Sequence, residues 1–198
     1  MRSATALALS LVFLAACNES PTEPHGGMAT LVVSCNPSGS NIVCRASATN
    51  LGGVISGDVT REATWLHNTR IGEFAEPGVF VPSTDGEVDI SAKFSWLESS
   101  KHSYVVSPTA PPRRLFFVGG NITDAATNEK IVGATVRILD GYAAGRAAVS
   151  NSLGYYSIDR VLTDETFTLE VTMEGYARQV LTYRIGTQPF FNVALTRT

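Results

Sequence analysis

Alternation of apolar and polar side chains with a period of two narrows most strongly what this chain can fold into. Val88, Ile90, Ala92, Phe94 and Trp96 alternate with Asp89, Ser91, Lys93 and Ser95. Successive side chains of a strand point to opposite faces, so the pattern predicts a half-buried strand with one solvated side. The period recurs at Val59, Arg61, Ala63 and Trp65. Beyond residue 115 it returns at Ala134, Val136, Ile138, then at Phe167, Leu169, Val171, Met173, and at Phe191, Val193, Leu195. Turn-rich clusters at Asn50 to Gly53 and Ser83 to Gly86 divide the first series. No segment sustains the helical period, and the expectation is an all-β chain: two antiparallel β-sandwiches in series after a signal peptide and tether.

The amino terminus follows other rules. Arg2 precedes an apolar core from Ala4 to Ala16 that only Thr5 and Ser10 interrupt. That core is about half of the ~20 residues a bilayer-spanning helix needs, and residues 1–16 read as a signal peptide. Leu14-Ala15-Ala16-Cys17 at its end resembles the lipobox of bacterial lipoproteins. The resemblance implies cleavage before Cys17, a diacylglycerol thioether on its sulfur, and acylation of the new amino group. Two or three acyl chains anchor stably where one binds only marginally. An ordinary secreted protein with a chance cysteine is the alternative. Asn18 stands where many lipoproteins kept at the inner membrane carry Asp, which by the same resemblance favours the outer membrane. Residues 17–27 form the lipidated cysteine and a polar tether with Pro21, Pro24 and a closing Gly pair, in which His25 is solvated.

With Cys17 taken by lipid, Cys35 and Cys44 remain as an even pair in an oxidising compartment. Leu31, Val33 and Cys35 alternate on one side of a turn running from Asn36 to Asn41, and Ile42, Cys44, Ala46 and Ala48 alternate on the other. That register sets the two sulfurs opposite each other, favouring a disulfide. Paired metal ligands are the rival reading, but no His lies nearby at zinc spacing. A net charge of −3 with scattered basic residues gives no footprint for nucleic acid.

Asp58 to Trp65, Gly78-Val79-Phe80 and Gly86 to Ala92 together resemble the bacterial immunoglobulin-like repeat of intimin-type surface proteins. The resemblance covers about half the module, assigns residues 28–107 to such a sandwich and implies a packing role for Trp65. Residues 108–114, Pro-Thr-Ala-Pro-Pro-Arg-Arg, read as a stiff extended linker. In residues 115–198, Gly120 to Thr127, Ile131 to Val136, Ser152 to Ile158 and Glu174-Gly175-Tyr176 resemble the carboxypeptidase regulatory-like domain, a transthyretin-like sandwich. Asn128, Lys130 and Asn151 depart from its pattern, and Asn tolerates turn and left-handed positions. The glycines then have structural roles: close sheet approach at Gly133 beside Ala134, and turns at Gly154 and Gly175. Tyr156 and Tyr176 are expected to bury their rings with hydroxyls at the rim.

Chemistry is sparse. His25, His67 and His102 share no zinc-binding spacing, and the acidic residues Asp159, Asp164 and Glu165 follow no calcium-loop pattern and read as a solvated loop. No catalytic residue, metal or cofactor is expected. The aromatics Tyr142, Tyr155 and Tyr183 could stack on sugar rings. The expected function is a non-catalytic lipoprotein of the bacterial envelope, held to the membrane by its lipid and acting as a structural or adhesive module toward an envelope protein or glycan. The alternative is a carbohydrate-binding accessory protein of a polysaccharide-uptake system.

Overall fold

The computed structural model describes residues 29–49, 57–186 and 189–198. The expected signal peptide, Cys17, Asn18, the expected tether with His25, and the expected turn cluster from Asn50 to Gly53 lie outside these residues. Among the described residues every regular element is a strand. Nine strands build the first lobe: β1 (Thr30–Ser38), β2 (Asn41–Thr49), β3 (Gly57–Asp58), β4 (Thr64–His67), β5 (Gly72–Glu76), β6 (Val79–Pro82), β7 (Gly86–Phe94), β8 (Leu97–Glu98) and β9 (His102–Ser107). The long β10 (Ala110–Asp124) follows. Six more complete the second lobe: β11 (Thr135–Ile138), β12 (Ala147–Val149), β13 (Tyr155–Leu162), β14 (Thr166–Thr172), β15 (Gln179–Arg184) and β16 (Val193–Leu195).

These strands form three sheets. One, ordered β1-β2-β6-β5 with β3 beside β2, covers the first lobe, and another, ordered β12-β11-β14-β15, covers the second. The third, ordered β13-β10-β9-β7-β4, belongs to both lobes. Neighbours pair antiparallel except β16, which runs parallel to β10. One core joins Leu31, Ile42, Phe80, Val88, Ile90 and Tyr104, and a second joins Ile122, Val136, Tyr156, Phe167, Leu169 and Leu195. Both are filled by the inward residues of the alternating strands, which removes their apolar surface from water.

The first hairpin carries the disulfide. Cys35 and Cys44 are direct cross-strand partners and are bonded. The Cys44 N–H donates outward to the Gly78 carbonyl, so this is a non-hydrogen-bonded pair, the closer of the two antiparallel spacings. The free edge of β1 is covered from the facing sheet. Tyr104 Oη donates to the Cys35 carbonyl at 2.8 Å, and His102 Nε2 lies 2.9 Å from the Val33 carbonyl. Side chains thereby occupy acceptors that another strand would otherwise recruit.

The proline-rich stretch lies in the β9–β10 hairpin. Pairing passes from Ala110↔Ser107 to Arg113↔Val105, and the skipped irregularity holds Pro111 and Pro112. Proline lacks the N–H that a ladder needs, and a bulge is one of the few places where a sheet tolerates it. Pairing then resumes with Arg113, Arg114 and Leu115 against β9, and Leu115 also begins the pairing with β13. Leu115 faces Leu162 across that pairing, and both are buried where the lobes meet.

Gly133 differs from expectation. Its φ of +85° makes it a turn residue, and open space surrounds the position where a Cβ would stand. Close approach instead occurs at Gly120, where a Cβ would collide with the Phe191 backbone. Asn128 adopts φ +61°, while Asn151 folds its carboxamide oxygen back onto the N–H groups of Leu153 and Tyr155, an Asx turn.

Candidate functional site

The seam between the lobes gathers most of the molecule's unusual chemistry. Opposite Phe117, β13 contains one extra residue: pairing moves from Phe116↔Val161 to Val118↔Ile158, leaving Asp159 and Arg160 in a bulge. Arg160 has φ +56°, a left-handed conformation that costs a non-glycine residue about 1 kcal/mol or more. The bulge turns its guanidinium onto the first lobe. There Nη1 meets Glu87 at 2.5 Å and Nη2 meets Asp89 at 2.9 Å. Both acids lie on β7, and Asp89 also accepts from Ser103 Oγ at 2.6 Å and from Asn68 Nδ2 at 3.1 Å. Tyr142 Oη donates to Glu87, and burial together with that bond pushes its phenol up to about 12.

A second bridge runs beside the first. Arg113 of β10 holds Asp164 through two bonds, at 2.9 and 3.0 Å, and reaches Glu165 at 3.4 Å. The guanidinium keeps the Asp164 carboxyl below its ordinary range. Of the three acids expected in a solvated loop, two are thus paired at the seam, whereas Asp159 stays largely exposed with Arg146 at 3.6 Å.

Beside the bulge opens a cleft of about 230 Å³. Its walls include Lys101, His102, Arg114, Phe116, Phe117 and Asp159. Among the described residues, neither Lys101 nor Arg114 has a carboxylate within 4.0 Å, unlike Arg113, Arg146 and Arg160. Burial pulls the His102 imidazole below its ordinary value, and the Arg114 charge adds to this against the contact with Val33. The aromatic wall continues outward: Phe116 and Phe117 centroids lie 4.8 Å apart, and Phe190 follows at 5.7 Å. Arg114 stands 5.6 Å over the Phe116 ring. Phe190 is 55% exposed and Phe116 37%, Phe117 is half-buried, and none of the three belongs to either core, so the group forms a contiguous aromatic face.

Of the residues singled out from sequence, His102 and Asp159 line the cleft, and the others lie elsewhere or have other partners. Trp65 packs on the first core with its Nε1 donating to the Thr60 carbonyl at 3.0 Å. His67 sits edge-on to Phe74 and Phe80. Tyr183 stacks on Phe191 at 4.3 Å, Tyr155 lies over Gly119, and Tyr142 is engaged with Glu87, so the three tyrosines do not form one platform. Tyr156 is buried with its hydroxyl on the Phe191 carbonyl, and Tyr176 Oη donates to Asp124 at 3.0 Å. Among the described residues no three His, Cys, Asp or Glu side chains are grouped to hold a metal. The pairings at the seam escaped the sequence reading because the partners are far apart in the chain. Its one local signal is Phe116-Phe117, adjacent aromatics that cannot both face one core.

No curated protein matches the chain. Among solved structures it resembles the Bacillus anthracis TIE protein at 8% identity and TM-score 0.36, over 89% of this chain and 42% of that one. It resembles the major pilin subunit of Bacillus cereus at 12% identity and TM-score 0.32, covering 86% and 70% of the two chains. For a three-domain backbone pilin of Streptococcus pyogenes the values are 10%, 0.31, 80% and 52%. The chain spans less than half the length of the first of these, and superpositions at this level fix neither its fold nor its function. The family comparison is more specific: residues 118–196, the second lobe, match the carboxypeptidase regulatory-like domain.

Proposed function

We propose that this chain is a non-catalytic lipoprotein of the bacterial envelope, anchored through Cys17, whose two lobes act as one stiff structural or adhesive module. The observation that carries this reading is β10, a single strand that pairs with β9 at one end and with β13 at the other. A shared sheet with cross-seam ion pairs suits a part that must hold an orientation or transmit load, because bending the joint would break pairing and charge contacts together. In this reading residues 28–107 are a bacterial immunoglobulin-like domain and the lipid places the chain at the outer membrane.

The test uses the full lipidated chain and a Cys17→Ser form. The first should fractionate with membranes and the second should not. Retention of the purified chain on isolated envelope proteins supports the structural module; retention on no envelope component overturns it. A second reading, a carbohydrate-binding accessory protein, is favoured by the exposed Phe116–Phe117–Phe190 face and would show as saturable binding to one polysaccharide of a panel.

A further inference from the structure

We propose that the seam cleft binds an acidic sugar unit of a polysaccharide, with the ring along the wall that Phe116 and Phe117 form and the carboxylate between Arg114 and Lys101. The proposal rests on the carbohydrate-binding reading and names its ligand class. Four observations carry it. First, Arg114 and Lys101 are the cleft's two cations without a carboxylate partner among the described residues, while Arg160 on the same wall is committed to Glu87 and Asp89. A planar guanidinium matches a carboxylate through two parallel bonds, and the ammonium adds a second charge. Second, the cations share the cleft with Phe116, which is 37% exposed, and the half-buried Phe117, an aromatic wall that suits a flat-faced ligand better than a bare ion. Third, Asp159 faces the same cleft and is 79% exposed. It repels a ligand carrying charge all round, but accepts bonds from sugar hydroxyls at the end away from the carboxylate. Fourth, the cleft's 230 Å³ is smaller than pockets for drug-sized molecules and fits about one ring, leaving the chain of a polymer to run out over Phe190.

The bulge explains how such a cleft arises. It draws Arg160 toward β7 while Asp159 stays in the cleft wall, so one local irregularity both locks the lobes and shapes the pocket.

The experiment is calorimetric titration of the full chain in detergent with trigalacturonate, using maltotriose and sodium sulfate as probes of ring and charge alone. Saturable binding of trigalacturonate, at least about tenfold tighter than either probe, is expected. Arg114→Gln and Lys101→Ala should each weaken it about tenfold or more, the scale of a lost charge-assisted contact, with unfolding midpoints unchanged for Lys101→Ala. Equal binding of maltotriose, equal binding of sulfate, or unaltered binding in both variants would each overturn the proposal. A chain that binds no trigalacturonate yet saturably binds another glycan refutes this ligand class and leaves the carbohydrate-binding reading standing.

Discussion

Replacing Arg160 tests the seam from both sides, because its side chain spans the lobes and its backbone is strained. Arg160→Ala removes charge-assisted bonds to Glu87 and Asp89, groups that are 30% and 12% exposed in their side chains. Bonds to charged partners contribute about 1.5–3 kcal/mol, and exposure at Glu87 places the expected loss toward the lower half of that range. Alanine keeps the left-handed strain at φ +56°, whereas glycine relieves about 1 kcal/mol of it. Arg160→Gly should therefore lose roughly 1 kcal/mol less than Arg160→Ala. The assay exploits an asymmetry of the chain: both tryptophans, Trp65 and Trp96, lie in the first lobe, and Trp65 is the one packed on its core. Denaturant unfolding followed by tryptophan fluorescence thus reports the first lobe, while the substitution is in the second. Coupled lobes predict a lower tryptophan midpoint for Arg160→Ala, partly restored in Arg160→Gly. An unmoved tryptophan transition, or a glycine variant less stable than the alanine one, would refute the latch.

The disulfide closes a short loop, and the chain-entropy relation gives a loss of about 2–3 kcal/mol when Cys35 and Cys44 are both replaced by Ala, measurable as a lower unfolding midpoint. Tyr156→Phe leaves the Phe191 carbonyl without its 2.8 Å donor inside the second lobe, and should cost about 1–2 kcal/mol in the same measurement. The pH dependence has a definite sign. Arg197 first, then the Ala126 N–H, Tyr176 and the Thr127 N–H, hold the Asp124 carboxyl well below the carboxylate range. Its contribution is present above the unfolded value near ~4 and is lost as pH falls toward the folded one, so Asp124→Asn should flatten the acid limb of a melting-temperature profile. His102, also depressed in the fold, adds an earlier decline as pH drops below about 6.5, which His102→Gln should remove. Tyr104→Phe frees the Cys35 carbonyl on the β1 edge, and increased self-association by sedimentation is the expected result.

Several features were legible because they depend on neighbours in sequence. The alternation around Val88 and Phe167 gave strands, and that around Cys35 and Cys44 put both sulfurs on one face. The turn, however, is only Gly39-Ser40, and Asn36 to Ser38 and Asn41 continue the pairing, which is what sets Cys35 directly against Cys44. Turns at Gly154 and Gly175 followed from their punctuation, with φ of +69° and +79°. The seam was not legible. Glu87 and Asp89 are separated from Arg160 by more than seventy residues, and an acidic residue on the polar face of β7 looks like any solvated one. Pro111 and Pro112 advertise interrupted pairing, yet the interruption spans only those two positions before β10 resumes. Gly133 illustrates the remaining ambiguity: a glycine can serve a turn or a close approach, and only the surrounding backbone distinguishes them.

Hydrogen exchange over residues 113–120 of the intact chain tests most directly whether the lobes are one body. Pairing of β10 with β9 up to Leu115 and with β13 from Leu115 onward, interrupted only at Phe117, predicts that the hydrogen-bonded amides stay protected across the seam and exchange together with the buried strands of both cores. Rapid exchange there, with protection confined to the strands on either side, would contradict a shared strand and leave two independently moving sandwiches.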